Sequence, residues 1–261
     1  MFDYQGKTAV ITGASTGIGA TFARALAARG ANLILVARSE DKLHTLAAEL
    51  AAQQKILTYV IPTDLSQEGA ALTLAQTIQQ RGLQVDVLVN DAGFATHGHF
   101  ETLSASRDHA EAMLNVVAVV DLTHALLPPM LERSEGVIIN VASTAGFQPV
   151  PYMAVYGASK AFVLSFSEAL WVEYRKRGIR VLALCPGTTD TPFFEVAGAE
   201  EAKVGGMRTP EQVVATALRA VEKGRSSVVD GVANSLQTLS ARFFPPQVVA
   251  QISGHFVQPR S

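Results

Sequence analysis

Several features that mark other classes of protein are scarce in this sequence of 261 residues. It has a single cysteine, Cys185, which excludes an internal disulfide and favours a reducing compartment. Lysine and arginine total 21 against 23 acidic residues, and this balance gives little electrostatic support for a nucleic-acid partner. No apolar run approaches the ~18 residues of a membrane-spanning helix, and the start, MFDYQGKTAVITG, lacks a secretory pattern. We therefore expect a cytoplasmic protein with no membrane span and no nucleic-acid partner.

Short β-branched runs alternate with helical stretches along the chain. Strands are predicted at 7–12, 32–37, 56–61, 85–90, 136–142, 179–185 and 226–230. Helices are predicted at 18–29, 40–52, 67–81, 106–132, 153–177 and 210–223. Because the strands are apolar throughout, they indicate a sheet that is buried on both faces. The alternation then predicts an α/β fold, a doubly wound parallel sheet of about seven strands with helices on both faces, in a single domain over 1–261.

Two stretches depart from this alternation. Residues 187–210 contain several glycines and prolines without a clear period, and a segment of this kind is typically functional, so we interpret it as a substrate lid. Residues 232–261 are predicted to form a C-terminal extension of one or two helices around Pro245 and Pro246. The apolar positions of the extension predict core packing or a subunit contact rather than a membrane anchor. These positions are Leu236, Leu239, Phe243, Phe244, Val248, Val249 and Ile252.

A glycine-rich turn joins the first predicted strand to the first predicted helix. The stretch TGASTGIGAT at 12–21 has glycines at 13, 17 and 19. At such a turn, backbone N–H groups and a helix N-terminus are able to bind an anion. Glycine turns also serve purely structural roles, but the position between strand and helix is the one that a dinucleotide-binding turn requires.

The end of the second predicted strand bears on which dinucleotide is bound. At the ~20-residue offset where such folds contact the adenosine ribose, the sequence reads VARSE, with Ala37 in place of an acidic residue. The next residue is Arg38, whose guanidinium pairs with a phosphate through two hydrogen bonds, and Ser15 offers a hydroxyl to the same group. NADP(H) is therefore favoured over NAD(H). The alternative is that Arg38 is a surface charge paired with Glu40 or Asp41.

The second half of the chain carries residues suited to proton transfer. Tyr156 and Lys160 lie four residues apart on one face of a predicted helix, and Ser143 follows a predicted strand. We expect the ammonium of Lys160 to bring the pKa of Tyr156 down from its usual ~10. Tyr156 would then exchange a proton with a carbonyl or alcohol oxygen that Ser143 holds. Taken singly, a core tyrosine, a surface lysine and a helix-capping serine remain open alternatives.

In combination these motifs resemble the short-chain dehydrogenase/reductase family over about residues 5 to 231. The matching positions are TGASTGIG at 12–19, Asp64, NDAG at 90–93, Asn115, Ser143, Tyr156, Lys160 and PGTTDT at 186–191. The resemblance implies a Rossmann-like oxidoreductase of the CH–OH class. Such an enzyme interconverts a ketone or aldehyde and an alcohol by hydride transfer with NADP(H), and Tyr156 would be its acid/base.

The resemblance also implies roles for single residues. The catalytic residues would be Asn115, Ser143, Tyr156 and Lys160. The cofactor-binding residues would be Gly13, Ser15, Thr16, Gly17, Ile18, Gly19, Arg38, Asp64, Leu65, Asn90, Ala92, Gly93, Tyr156, Lys160, Pro186, Gly187, Thr189 and Thr191. Asn115 would hold a water in a proton relay through Lys160, and Asn90 would pass beside the riboses. Asp91 departs from the family pattern, because many relatives have an asparagine there and a carboxylate cannot donate as an amide does.

Other functions remain as alternatives. A catalytically inactive NADP(H)-binding sensor or scaffold would keep the turn without turnover, and an epimerase or dehydratase generally needs a larger substrate domain. His97 and His99 in FATHGHF have no third ligand in evidence, so we expect no metal site. Aromatic residues around the site favour a hydrophobic carbonyl or alcohol as substrate. The resemblance finally implies a homodimer or homotetramer formed through the helices near 106–132 and 153–177.

Overall fold

Seven parallel strands form one sheet at the centre of the molecule. The strands are β1 (Thr8–Thr12), β2 (Asn32–Val36), β3 (Thr58–Val60), β4 (Val87–Asn90), β5 (Gly136–Val141), β6 (Ile179–Cys185) and β7 (Ser227–Val229). The computed structural model describes residues 2–203 and 205–259. Residues 1, 204, 260 and 261, which fall within the predicted domain, lid and extension, lie outside the described residues. The predicted α/β doubly wound sheet is confirmed.

The strand order places a crevice at the middle of the sheet. The order is β3-β2-β1-β4-β5-β6-β7, so the chain winds outward in one direction from β1 and in the other from β4. Ligands bind outside the carboxyl ends of the strands at such a reversal point. The topology therefore directs attention to the loops that follow β1 and β4.

Helices cover both faces of the sheet. Those of the described residues are α1 (Gly17–Ala27), α2 (Glu40–Gln54), α3 (Ala70–Gln80), α4 (Ala105–Ala112), α5 (Ala118–Glu132), α6 (Ala154–Tyr174), α7 (Phe193–Ala197), α8 (Pro210–Glu222), α9 (Val232–Ser240) and α10 (Pro246–Val257). Neighbouring strand residues point to opposite faces, and Val10 and Ile11 both lie in apolar clusters, one on each side of the sheet. This double burial explains why the strands are apolar throughout.

The long helix predicted at 106–132 is interrupted. Between α4 and α5, residues Met113–Val117 form a π-helical segment, a feature that often marks functional sites. By length and composition alone, Ala105–Glu132 is the one helical stretch among the described residues that could cross a membrane. Its apolar face packs in the core through residues such as Leu122 and Met130. Helices buried in a protein core can be equally long and apolar. This stretch is weak evidence for a span, and the expected absence of one stays a prediction.

The two segments outside the alternation are partly helical. The predicted lid contains α7 and a 3-10 turn at Glu200–Ala202, and the extension forms α9 and α10 on either side of Pro245. The prediction of core packing within the chain is wrong for most of the apolar positions of the extension, because their side chains are exposed. Exposed side chains there are Leu236, Leu239, Phe243, Phe244, Val248 and Ile252. Both helices turn smaller residues inward instead, including Thr238 and Ser253.

Candidate active site

The glycine turn between β1 and α1 forms a tight cradle. Gly13 and Gly17 have φ values of +70° and +57°, which non-glycine residues rarely adopt. A Cβ on Gly13 would lie 2.9 Å from the backbone nitrogen of Ala92, and one on Gly19 would lie 2.4 Å from the carbonyl oxygen of Gly13. In the described structure Thr16 makes no side-chain cap bond, and the first turn of α1 has no acidic residue. The cradle therefore fits the diphosphate of a dinucleotide, which would accept from these N–H groups.

One cleft of about 390 Å³ extends from this turn along the carboxyl ends of the strands. It is lined by seventeen of the residues that the sequence assigns to the site. They are Gly13, Ser15, Thr16, Gly17, Ile18, Arg38, Asp64, Leu65, Ala92, Gly93, Ser143, Tyr156, Lys160, Pro186, Gly187, Thr189 and Thr191. Residues from both halves of the chain thus converge on one cavity, large enough for a small-molecule site.

The other three assigned residues, Gly19, Asn90 and Asn115, do not line the cleft. Gly19 packs beneath the turn, as its contact with Gly13 requires. Asn90 is buried and donates from Nδ2 to Oδ1 of Asn140 at 2.8 Å, so its side chain joins β4 to β5. The ribose contact that the resemblance implies for Asn90 is therefore not available to its side chain.

The Asn115 side chain is committed to local contacts. Its Nδ2 donates to the carbonyl oxygen of Phe94 at 2.9 Å and to Oγ of Ser159 at 3.2 Å, while its Oδ1 accepts from the N–H of Phe94 at 3.2 Å. These bonds tie the loop after β4 to α6. A role for Asn115 in a proton relay would fall to its backbone, within the π-helical segment.

The expected effect of Lys160 on Tyr156 is not what the structure shows. Burial raises the pKa of Tyr156 to about 12; the Ser143 side chain lowers it, and the charges of Glu111 and Asp91 raise it. Burial also lowers the pKa of Lys160 to about 8, against the opposing charges of Asp91 and Glu111. The expectation from the sequence included only the attraction between the Lys160 ammonium and the Tyr156 phenolate. Burial disfavours each charged form separately, and in this pair that effect is larger.

Asp91, the departure from the family pattern, lies beside the cradle. Burial raises the pKa of Asp91 to about 7, while the charge of Lys160 and a hydrogen bond from the N–H of Gly19 lower it. The carboxyl group accepts from the same turn that would bind the cofactor phosphates. Its charge therefore bears directly on an anionic ligand at that turn.

Arg38 follows β2, lines the cleft and is exposed. No ion pair within 4 Å of its side chain is formed by the described residues, so Glu40 and Asp41 do not hold it. Burial acts to raise the pKa of Asp64, but bonds from Ser66 and Gln67 and the charge of Arg38 lower it overall. The guanidinium is thus free to face a phosphate on the ribose side of the cleft.

The two histidines of FATHGHF lie in different surroundings. His97 places Nε2 2.7 Å from the carbonyl oxygen of Val257 and Nδ1 3.3 Å from that of Gly198, so it bridges α10 and the lid. The His99 ring packs edge-on to Tyr152, with ring centroids 5.1 Å apart. Across 2–203 and 205–259, no group of three or more His, Cys, Asp or Glu side chains is arranged to hold a metal.

The far end of the cleft is largely apolar, and some of the residues that line it were not predicted from the sequence. Phe94, Met153, Phe193 and Phe194 line it, whereas the aromatic residues Phe147 and Tyr152 do not. The extension adds five further lining residues: Asn234, Gln237, Ser253, Phe256 and Val257. No motif marks these positions, because α9 and α10 reach the cleft only through tertiary packing.

Comparisons with known proteins agree with this geometry. The sequence profile described as short chain dehydrogenase matches residues 7–202. The chain is 34% identical over 231 residues to the ketoacyl reductase HetN of Nostoc sp., covering 88% of this chain and 80% of that protein. A short-chain dehydrogenase from Sphingobium yanoikuyae, solved with NADPH, superposes with a TM-score of 0.82 at 30% identity and covers 98% and 97% of the two chains. Another from Burkholderia phymatum, solved with NAD, has a TM-score of 0.84 at 26% identity and covers 94% and 98%.

Proposed function

The chain belongs to the short-chain dehydrogenase family of oxidoreductases, and from that premise we propose that it reduces an apolar ketone or aldehyde with NADPH or catalyses the reverse oxidation. The observation that supports this best is the single cleft in which the glycine cradle, Ser143, Tyr156 and Lys160 meet. Ser143, Tyr156 and Lys160 are far from the glycine turn in the sequence, and the fold brings them to the same cavity.

The chemistry follows from these side chains. A bound nicotinamide supplies or accepts the hydride. Ser143, whose Oγ accepts from the N–H of Ala145 at 3.1 Å, is held where it would orient the substrate oxygen. Tyr156 would give its phenolic proton to that oxygen as negative charge develops there. Lys160, whose Nζ donates to the carbonyl oxygen of Val141 at 2.8 Å, would restore the proton on the phenol.

A preference for NADP(H) over NAD(H) is supported by the adenosine end of the cleft. Ala37 offers no carboxylate to a ribose with two free hydroxyls, and Arg38 has no competing ion pair among the described side chains. Charge-assisted bonds from a guanidinium to a phosphate are strong and directional. Similar proteins have been solved with either cofactor, so the preference of this chain depends on its own residues.

The substrate proposal depends on the far wall of the cleft. Phe193 and Phe194 pack edge-on, with ring centroids 5.3 Å apart, and Phe193 lies 5.3 Å from the Tyr156 ring. A substrate that reaches Tyr156 therefore passes apolar surface. We propose a hydrophobic, medium-sized carbonyl compound rather than a small anionic keto acid.

Assembly and location are part of the same proposal. We expect a homodimer or homotetramer in the cytoplasm. In the two predicted interface helices, Val117 of the π-helical segment and Phe162 of α6 are exposed, and the Phe162 ring stacks on that of Phe166 with centroids 5.6 Å apart. Leu114 and Leu170 instead pack against the core of this chain.

The test is a reaction panel. Purified protein is mixed with NADPH or NADH and a series of ketones and aldehydes, and nicotinamide absorbance is followed. We expect NADPH oxidation with apolar carbonyl compounds and slower oxidation of NADH. Tight NADPH binding without oxidation across the panel would favour the sensor alternative, and activity only on small keto acids would contradict the substrate proposal.

A further inference from the structure

The His97 ring lies between two segments that form the apolar wall of the cleft. Its Nε2 is 2.7 Å from the carbonyl oxygen of Val257, the last residue of α10. Its Nδ1 is 3.3 Å from the carbonyl oxygen of Gly198, which follows α7 in the predicted lid. The last carbonyl groups of a helix have no partner within the helix, so these oxygens need a donor from elsewhere in the chain.

These two contacts require two N–H groups on one ring. A carbonyl oxygen only accepts, and a neutral imidazole has a single N–H, so the neutral ring donates to one of the two oxygens. The imidazolium has an N–H on each nitrogen and donates to both. Val257 also ends a helix of 12 residues, whose C-terminus carries partial negative charge and favours a cation. His97 therefore bonds the lid and the extension at the same time only in its protonated form.

Other ionisable groups surround His97 without pairing with it. Among the described residues, no carboxylate forms an ion pair with its ring within 4 Å. The charged or ionisable side chains on the segments around it are His99 in its own loop, Arg107, Asp108 and Glu111 in α4, Glu195, Glu200 and Lys203 in the lid, and His255 in α10. The bonds from the ring to the two carbonyl groups thus depend on the proton of His97 itself.

Apolar packing between the lid and the extension is slight. The buried cluster under the clasp, by which we mean His97 with Gly198 and Val257, takes only alanine side chains from the lid: Ala197, Ala199 and Ala202. An alanine side chain buries little apolar area and so contributes little to closure. Arg107 donates to the carbonyl oxygen of Val196 at 3.1 Å, which holds the lid to α4 and not to the extension. The hydrogen bonds of His97 therefore matter to how the lid and the extension are held together.

The two segments that His97 joins both line the cleft. The lid supplies Phe194 and Val196, and the extension supplies Phe256 and Val257. Val196 and Phe256 are 54% and 56% exposed although they line the cleft, so they lie at its mouth. Phe193 lies deeper, beside the Tyr156 ring. A short ketone at Tyr156 would contact Phe193, whereas a longer one would also reach the lid and the extension.

We propose that protonated His97 is a positioning residue that fixes the lid against the extension and thereby selects for apolar carbonyl compounds long enough to contact both. This inference rests on the proposed function. When His97 loses its proton, one of the two bonds is lost and the outer wall of the cleft opens.

The main experiment compares two ketones that differ only in chain length. Methyl octyl ketone and methyl ethyl ketone are reduced with NADPH at pH 6 and pH 8, which lie within the range of about pH 5 to 8 where histidine changes charge. In the wild type, the ratio of kcat/KM for the octyl to the ethyl ketone should fall roughly 10-fold between these pH values, the effect of losing one hydrogen bond to a charged group. The change should lie in KM for the octyl ketone.

The ratio removes the effect of other titrating groups in the cleft. Burial raises the pKa of Asp91 to about 7 and lowers that of Lys160 to about 8, so both also titrate in this range. Each acts at the cofactor or at the reacting oxygen, which the two ketones share. A ratio that depends on pH therefore reports on the outer wall of the cleft.

Substitution of His97 provides the second arm. His97→Gln keeps one N–H donor but has no titrating charge, and its ratio should equal the wild-type value at pH 8 and stay constant with pH. His99→Gln makes the same chemical change two residues away, at a ring that packs on Tyr152, and should keep the wild-type dependence. A wild-type ratio that does not change with pH would overturn the proposal. An equal loss of kcat/KM for both ketones in His97→Gln would also overturn it, because that pattern indicates general damage.

Hydrogen exchange tests the clasp without turnover. After correction for the chemical exchange rate, peptides covering 193–203 and 246–257 should be more protected at pH 6 than at pH 8 in the wild type. The difference should disappear in His97→Gln and persist in His99→Gln. Equal protection at both pH values in the wild type would show that no such clasp forms. If the wild-type protein reduces no carbonyl compound, the proposed function fails, while exchange still decides whether His97 joins the two segments.

Discussion

The Nζ of Lys160 lies 5.6 Å from the centre of the Tyr156 ring, and its hydrogen bond goes to the carbonyl oxygen of Val141 instead of to the phenol. Burial lowers the pKa of Lys160 to about 8 and raises that of Tyr156 to about 12. The phenol therefore holds its proton over the neutral range. That is the protonation state needed to donate to a carbonyl oxygen.

Removing this proton should nearly abolish turnover. Tyr156→Phe is expected to lower kcat by about 10²–10⁴, the usual effect of losing a general acid. Stopped assays with NADPH and an apolar ketone measure the loss, and NADPH fluorescence checks that cofactor binding survives. Tyr152→Phe is the matched control, because Tyr152 packs on His99 and does not line the cleft. Near-normal activity in Tyr156→Phe would refute the acid/base assignment.

Reversing the charge at position 38 should change cofactor preference. Arg38→Asp removes the proposed phosphate partner and adds a carboxylate that repels the phosphate but accepts from free ribose hydroxyls. We expect the ratio of kcat/KM for NADPH to that for NADH to fall about 10- to 100-fold, the effect of losing a hydrogen bond to a charged group. Arg29→Asp, at an exposed position just after the end of α1, controls for the change in net charge. An unchanged ratio would show that Arg38 does not contact the phosphate.

Asp91 should make both stability and cofactor binding depend on pH. Because burial raises its pKa to about 7, the folded protein keeps a proton that the unfolded chain loses near pH ~4. The contribution of Asp91 to the free energy of unfolding is therefore fully present below pH ~4. It is lost as pH rises to about 7, at a cost of roughly 4 kcal/mol. NADPH affinity should fall over the same rise, since the carboxylate then lies beside the phosphate cradle.

Asp91→Asn removes the titrating group while keeping an acceptor for the N–H of Gly19. Urea unfolding and NADPH titrations at pH 5 and pH 8 should show a smaller pH dependence in this variant than in the wild type. Asp3→Asn, which changes an exposed carboxylate, should keep the wild-type dependence. Parallel pH profiles for Asp91→Asn and the wild type would contradict the prediction.

The ion pair between Arg208 and Asp230 should anchor the end of the lid segment. Arg208 donates from Nε and Nη2 to the fully buried Asp230 at 2.9 and 3.2 Å, and Thr216 donates to the same carboxylate at 2.6 Å. Arg208→Met leaves that carboxylate buried without its cation, and we expect a loss of about 3 kcal/mol in the free energy of unfolding. Denaturant curves measure it, with Arg225→Met at an exposed position as the control. A loss no larger than in the control would show that Arg208 is not needed to hold Asp230.

Much of the fold was predictable because its signals are local. The apolar runs that become β1 to β7 and the turn at Gly13, Gly17 and Gly19 are visible within a few residues. The spacing of Tyr156 and Lys160 places both on one helix without further information. The interruption at Met113–Val117 was not visible, because the stretch reads as one continuous apolar helix.

Sequence alone therefore determined the alternation of strands and helices, the cradle at the first turn and which side chains we propose for proton transfer. Tertiary structure decided which groups are close to each other and how deeply they are buried. It joined His97 to Gly198 and Val257, placed the extension against the cleft, and reversed the expected direction of the Tyr156 pKa. The physical reason is that periodicity and turn chemistry act over neighbouring residues, whereas desolvation and hydrogen bonds such as these depend on contacts between residues far apart in the chain.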